Sequence, residues 1–218
     1  MEKFDNLCID YIKQNLNCLY ISLSSGSIYG SDFSKPVDKY SKNTLDVNNM
    51  GIENFYSISK IYSEAKHRAY NGLNIVDLRI FSFFSRYSDI NDGYFMSDLA
   101  LSILRKDILK TNDINIIRDY IHISDLTNLI LLCLEKRNIN AAFDVISKEP
   151  ISKFEILENF KENFGLKYEI LKNLNFSNSA GSKNIYYSIN SLASQILNYK
   201  PQYTSLEALS SELFWLTS

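Results

Sequence analysis

Tyr56 and Lys60 stand four residues apart in Tyr56-Ser57-Ile58-Ser59-Lys60, downstream of a serine-rich segment, Leu23-Ser24-Ser25-Gly26-Ser27-Ile28-Tyr29-Gly30. On a helix, residues four apart share a face, so an ammonium would lie beside a phenol. A free phenol loses its proton near pH ~10. A neighbouring ammonium stabilises the phenolate and brings proton exchange toward neutrality. Ser25, at the end of a strand, can hold a reacting oxygen by a hydrogen bond. Together the three groups can trade a proton with one carbonyl while a hydride moves. Spacing alone is weak evidence: Tyr62/Lys66 and Tyr168/Lys172 repeat it in a chain with 15 tyrosines. Context separates them, because only Tyr56 follows a serine-ended strand and continues through Ser59-Lys60 to Glu64.

Positioning these groups requires a strand before the serines and a helix through Tyr56. Leu19 to Ser24 reads as a short buried strand, and Tyr56 to Asn71 as a helix that Gly72 ends. A helix over Phe4 to Asn15 carries Leu7, Cys8, Tyr11 and Ile12 on one face. Asn74 to Phe81 is a second strand, and Ser31 to Asn49, with Pro36, is a loop. Further on, helices are expected over Phe95–Lys106, Ser124–Lys136 (capped by Ser124), Ser152–Phe164, Leu192–Leu197 and Ser205–Leu216. Ser152 caps its helix and Gly165 follows it. Short strands fall at Ile114–Ile117 and Ala142–Ile146. This alternation predicts an α/β fold with a mostly parallel sheet. A soft boundary near 85–93 divides residues 1–84 from 85–218, with some segments of the second part returning to the first.

The 218 residues carry a formal net charge of -2, so no overall basic surface points to nucleic acid. No stretch approaches the ~20 apolar residues of a membrane helix, and the first residues do not form a secretory signal. Cys8, Cys18 and Cys133 are scattered, and with His67 and His122 they offer no metal-ligand spacing. A reducing, cytoplasmic setting is expected.

The ordered set of segments resembles the extended short-chain dehydrogenase/reductases, the nucleotide-sugar epimerase/dehydratase family. After the serine segment and Tyr56–Lys60 come Leu78-Arg79-Ile80-Phe81 and Arg118-Asp119-Tyr120-Ile121-His122-Ile123-Ser124-Asp125-Leu126. Phe143-Asp144-Val145, Pro150-Ile151-Ser152 and Tyr199-Lys200-Pro201 follow. The resemblance implies an incomplete Rossmann-like parallel sheet with a smaller C-terminal α/β substrate-binding part. It makes Ser25, Tyr56 and Lys60 the catalytic triad, with Tyr56, Lys60 and Phe81 toward NAD or NADP. It turns Ser25, Ser82 and Arg118 toward a nucleotide-sugar substrate. Arg118 would grip the diphosphate, since its fork meets phosphate oxygens in pairs. The plainer reading of Arg118 is a surface ion pair with Asp119 or Asp125. His122 looks like a packing residue of its segment.

Four departures from the family pattern matter. The family's Gly-x-x-Gly-x-x-Gly turn, which sets a pyrophosphate on a helix N-terminus, is not spelled by the seven glycines of this chain. Gly26 and Ser27 occupy the positions where the dehydratases carry an Asp-Glu pair, which argues against 4,6-dehydration. Ser82 replaces the usual Asn, and Ser85-Arg86 the usual Gly-Pro. A second phosphate-binding arginine is not evident, and Lys183 is the substitute on offer. The resemblance therefore implies an NAD(P)-dependent epimerase or 4-ketoreductase acting at C4 of a nucleotide-activated (deoxy)hexose. The alternative is a catalytically incompetent remnant, or half of a split enzyme, keeping the sugar-nucleotide side. The expected protein partner is a second copy or a complementing N-terminal fragment. An uncovered apolar face on the Leu19–Leu23 strand would favour association.

Overall fold

Arg79 and Asp77 lie inside a strand, Asp77 buried and Arg79 half-buried, and their placement explains how the sheet is layered. In a computed structural model, which describes residues 2–30, 33–136, 138–172 and 183–217, the expected parallel sheet is present. Strand β1 (Tyr20–Ser25) pairs in parallel with β2 (Ile75–Ile80), and β2 with β5 (Asn140–Val145). Side chains alternate across a strand. Val76, Leu78 and Ile80 therefore face one side, with Phe143 and Val145, and pack against Leu126, Leu129 and Cys133 of helix α4 (Ile123–Glu135) and Ala193 and Leu197 of α6 (Leu192–Leu197). Asp77 and Arg79 face the other side, where helix α2 (Phe55–Ala69) lies.

Charged groups fasten α2 to that side. Arg68 pairs with Asp77 at 2.6 Å and Arg79 with Glu64 at 2.6 Å. His67, fully buried, spans Asp77 of β2 at 2.8 Å and Asp5 of α1 (Glu2–Gln14) at 2.7 Å. Tyr20 donates to Asp5 at 3.0 Å, and Lys66 pairs with the same carboxylate. Burial opposes a charge on His67, but the hydrogen bonds and charges of Asp77 and Asp5 outweigh it and raise its pKa. A raised folded pKa contributes stability that is fully present below the unfolded value near 6.5. That stability is lost as pH rises through the higher folded value. Thermal melts should accordingly show a stability component that declines above neutral pH and vanishes in His67→Gln; an unchanged pH profile in the variant would refute it.

The C-terminal part has its own core. Leu99 and Ala100 of α3 (Phe95–Arg105), Ile156, Leu157 and Phe160 of α5 (Lys153–Phe164), and Leu209 and Leu213 of α7 (Ser205–Thr217) close around Leu109 of β3 (Ile108–Asn112). Strand β3 pairs in parallel with β7 (Lys167–Leu171). A third small sheet orders β6 (Ile151–Ser152), β4 (Ile117–Arg118) and β8 (Ile185–Tyr186), with β4 central. Ser152 and Glu155 form a capping box at α5, and Gly165 ends that helix at φ 69.

Several local expectations need correction. Gly72 does not end α2 in the left-handed conformation. Instead the Asn140 amide, reaching over from β5, donates to the carbonyls of His67, Tyr70 and Leu73, so the free helix-end acceptors are satisfied by tertiary contact. Helix α4 is capped by His122, whose Nδ1 accepts from the Ser124 amide at 3.1 Å, and not by Ser124. The expected strand at Ile114–Ile117 is shifted to Ile117–Arg118, with β3 ahead of it. Strand β1 is only partly buried: it lies at the open edge of its sheet, and Leu23 is 55% exposed. Phe4, Leu7 and Tyr11 of α1 are exposed as well.

Candidate active site

Ser25 ends β1 and begins a 3-10 turn over Gly26–Tyr29, its Oγ accepting from the Ser27 amide at 3.2 Å. Gly26 is required here by close approach: a Cβ would stand 2.4 Å from the Phe81 ring. Phe81 is buried between Tyr29 and Tyr186, with ring centroids 6.4 and 5.2 Å away. The backbone of Ser82 ties the end of β2 to Tyr120 and Ile121, accepting from the Ile121 amide at 3.2 Å.

Tyr56 opens α2 and is 55% exposed. The Lys60 ammonium lies over its ring, 5.7 Å from the centroid, and donates to the Leu23 carbonyl at 2.7 Å. The helix thus brings the phenol and ammonium to one face, and Lys60 reaches the serine strand. Ser25's phenolic partner is a different tyrosine from the one the spacing indicates. Among the described residues no hydrogen bond joins Ser25 to Tyr56; the Tyr186 hydroxyl stands 3.3 Å from Ser25 Oγ. Tyr56 is close enough to Tyr186 for the two phenols to interact electrostatically. Burial, first, and the neighbouring Tyr56 push the Tyr186 phenol up to about 12.

Tyr186 also leads to the cations. In β8 it stands in register with Arg118 of β4, and the guanidinium carbon lies 5.7 Å from its ring centroid. Lys183 Nζ sits 4.8 Å from the same ring and 4.6 Å from that of Phe33. Arg118 is buried and donates to the carbonyls of Ile117 and Asn184. Its expected carboxylate partners are engaged elsewhere: Asp119 accepts from the Ser147 amide and Ser205 hydroxyl, and Asp125 from the amides of Gln202 and Tyr203. Among the described residues neither Arg118 nor Lys183 forms an ion pair. Burial, together with the Arg118 charge, lowers Lys183 to about 8. Two cations over aromatic rings at the end of a sheet, with no counter-charge among the described residues, are an arrangement suited to an anion.

Beneath the serines runs a network that spacing did not reveal. Ser24 donates to Glu64 at 2.5 Å; Arg79 donates to Glu64 through Nε and Nη2, and through Nη1 to Tyr29 at 2.8 Å and Asp144 at 3.2 Å. Asp144 also accepts from Tyr29 and Ser188. His122 is structural: besides its cap, its ring stacks on Tyr203 at 3.9 Å.

A parallel sheet with a Tyr-x-x-x-Lys helix beside a serine-ended strand is the arrangement of the short-chain dehydrogenase/reductases. The chain belongs to the NAD dependent epimerase/dehydratase family, whose sequence pattern matches residues 6–145. No curated protein is matched by sequence. Among solved structures, a dTDP-glucose 4,6-dehydratase from Bacillus anthracis in complex with NAD aligns over 97% of this chain and 65% of its own at TM-score 0.76 and 16% identity. A UDP-glucuronic acid 4-epimerase from Bacillus cereus, with UDP-glucuronic acid and NAD, aligns over 90% of this chain and 60% of its own at TM-score 0.70 and 22% identity. RMD from Pseudomonas aeruginosa complexed with NADPH aligns over 91% and 66%, at TM-score 0.72 and 18% identity. The chain thus spans 60 to 66% of the length of these structures.

Proposed function

We propose that the chain is an NAD(P)-dependent nucleotide-sugar epimerase or 4-ketoreductase, acting at C4 of a nucleotide-activated (deoxy)hexose in the cytoplasm. The observation that carries this reading is the continuity of one site, from the Arg118–Lys183 cation pair through Tyr186 to Ser25. A diphosphate on the cations would leave its sugar near a hydroxyl, with the Tyr56 phenol and Lys60 alongside. In this reading Arg118 and Lys183 hold the diphosphate, Ser25 donates to the sugar oxygen, and Tyr56 takes or returns the proton on that oxygen. Ser82, on the backbone link between the sheets, borders the sugar.

The residues present fit one end of the cofactor. Lys60 has three donors, and among the described residues the Leu23 carbonyl takes one, which leaves two for a nicotinamide ribose beside Tyr56 and Phe81. The glycine-rich turn for the pyrophosphate is not spelled in the sequence. NAD(P), when bound, accepts or supplies the hydride; the chain's own groups orient the sugar and manage its proton. Gly26, backed against Phe81, leaves no room for a carboxylate unless that ring moves, which supports epimerisation or reduction over 4,6-dehydration.

Incubating the purified chain with UDP-glucose and NAD+, and with a 4-keto sugar nucleotide and NADPH, tests the proposal. Appearance of the C4 epimer by NMR, or oxidation of NADPH, is expected. The exposed edge of β1 and the apolar residues of α1 favour a second reading, half of a split enzyme, with a second copy or an N-terminal fragment as partner. Nucleotide-sugar binding without turnover, and turnover restored by an added N-terminal fragment, would support that reading.

Lys183 sets a pH signature. It is charged below about 8 and neutral above, so affinity for UDP should fall as pH rises through that value. Lys183→Met should remove the step; an identical pH dependence in that variant would exclude Lys183 from the phosphate site.

A further inference from the structure

We propose that Tyr186 is a positioning residue of this site, fixing the Ser25 hydroxyl so that its proton points toward the sugar oxygen. The inference deepens the proposed function and rests on it. A serine hydroxyl has one proton and two acceptor lone pairs. At Ser25 one lone pair takes the Ser27 amide at 3.2 Å. The Tyr186 hydroxyl stands 3.3 Å away, and Ser25 is its sole hydrogen-bond partner among the described residues. Either hydroxyl can donate across this pair; in the proposed arrangement the half-buried phenol is the donor and gives its proton to the remaining lone pair. Burial keeps that phenol protonated throughout the neutral range. Both acceptor positions of Ser25 are then filled, and its own proton is left to point outward.

Tyr186 is well placed to hold this geometry. Its ring is wedged against Phe33 and Phe81, with centroids 4.8 and 5.2 Å away. Its strand is in register with Arg118. One side chain therefore couples the anion end of the site to the hydroxyl that meets the sugar. Packing alone would also bury a tyrosine here, and replacing it by phenylalanine separates the two roles by keeping the ring and removing the hydroxyl.

Calorimetric titration of UDP-glucose and of UDP into the full chain, Tyr186→Phe, Ser25→Ala and the double variant tests the assignment. Tyr186→Phe should weaken UDP-glucose about three- to tenfold and leave UDP unchanged. It should have no further effect once Ser25 is alanine. No change in Tyr186→Phe, an equal loss for UDP, or an undiminished loss in the Ser25→Ala background would each overturn the positioning role while leaving the proposed function standing. If the unaltered chain binds neither ligand, the nucleotide-sugar reading fails and this inference fails with it.

Discussion

Tyr56→Phe should lower turnover by roughly 10²–10⁴-fold, the usual contribution of a positioned proton donor or acceptor. Affinity for UDP-glucose should change far less, by no more than about tenfold, since a single neutral hydrogen bond contributes only about 0.5–1.5 kcal/mol of net binding. The size of the loss follows from what surrounds the site. Three phenols lie near the end of β1. Burial and the Asp144 carboxylate hold Tyr29 protonated, and burial does the same for Tyr186. Tyr56 is the open one, with the Lys60 ammonium over its ring. With the hydroxyl gone, neither of the other two phenols can exchange a proton at neutral pH. Lys60→Met should impair turnover too, by removing both the ammonium beside the phenol and the donor held at Leu23. A Tyr56→Phe variant turning over within threefold of the unaltered chain would remove this residue from the chemistry.

Arg79→Met should cost about 3–5 kcal/mol of folding stability, the usual price of stranding a buried charge. For a chain of this size that corresponds to roughly 6–20 °C in melting temperature. Arg79 is the cation between two buried carboxylates, Glu64 and Asp144. Burial alone would lower its pKa, but Glu64 above all, with Tyr29 and Asp144, raises it, so it is charged at any working pH. Methionine fills the volume yet leaves both acids unpaired under the serine strand. Arg79→Lys should fall between the two, because an ammonium cannot reproduce the two-pronged contact with Glu64. Differential scanning calorimetry decides it, and an Arg79→Met chain melting within about 2 °C of the original would mean that the network carries little of the stability.

The apolar side of the sheet was legible because it obeys a simple period. Val76, Leu78 and Ile80 alternate along β2, and the caps at Ser152 and Gly165 follow local chemistry. The α2 side was not, because it is built from charges. Asp77 and Arg79 in a strand, and Glu64, His67 and Arg68 on a helix, carry no local sign of their partners, and only the fold brings them together across gaps of 9 to 65 residues. Tyr56 and Lys60 were singled out as candidates by a local spacing together with their place after the serine-ended strand. Tyr186 has no such signal: it meets Ser25 across 161 residues, and only the pairing of β8 with β4 brings it there. The same holds for Asn140, which ends α2 where Gly72 was expected to do so. For Arg118, the sequence offered two neighbouring acids as partners, and both turned out to be committed to backbone amides.

In the proposed function, one site takes up a nicotinamide nucleotide and a nucleotide sugar together. Calorimetric titration of NADH and NADPH into the purified chain, with and without UDP-glucose, tests it most directly. Saturable binding of at least one of the two is expected, weakened by Lys60→Met and altered when the sugar nucleotide is present. Binding of UDP-glucose with no uptake of either reduced nucleotide would contradict it.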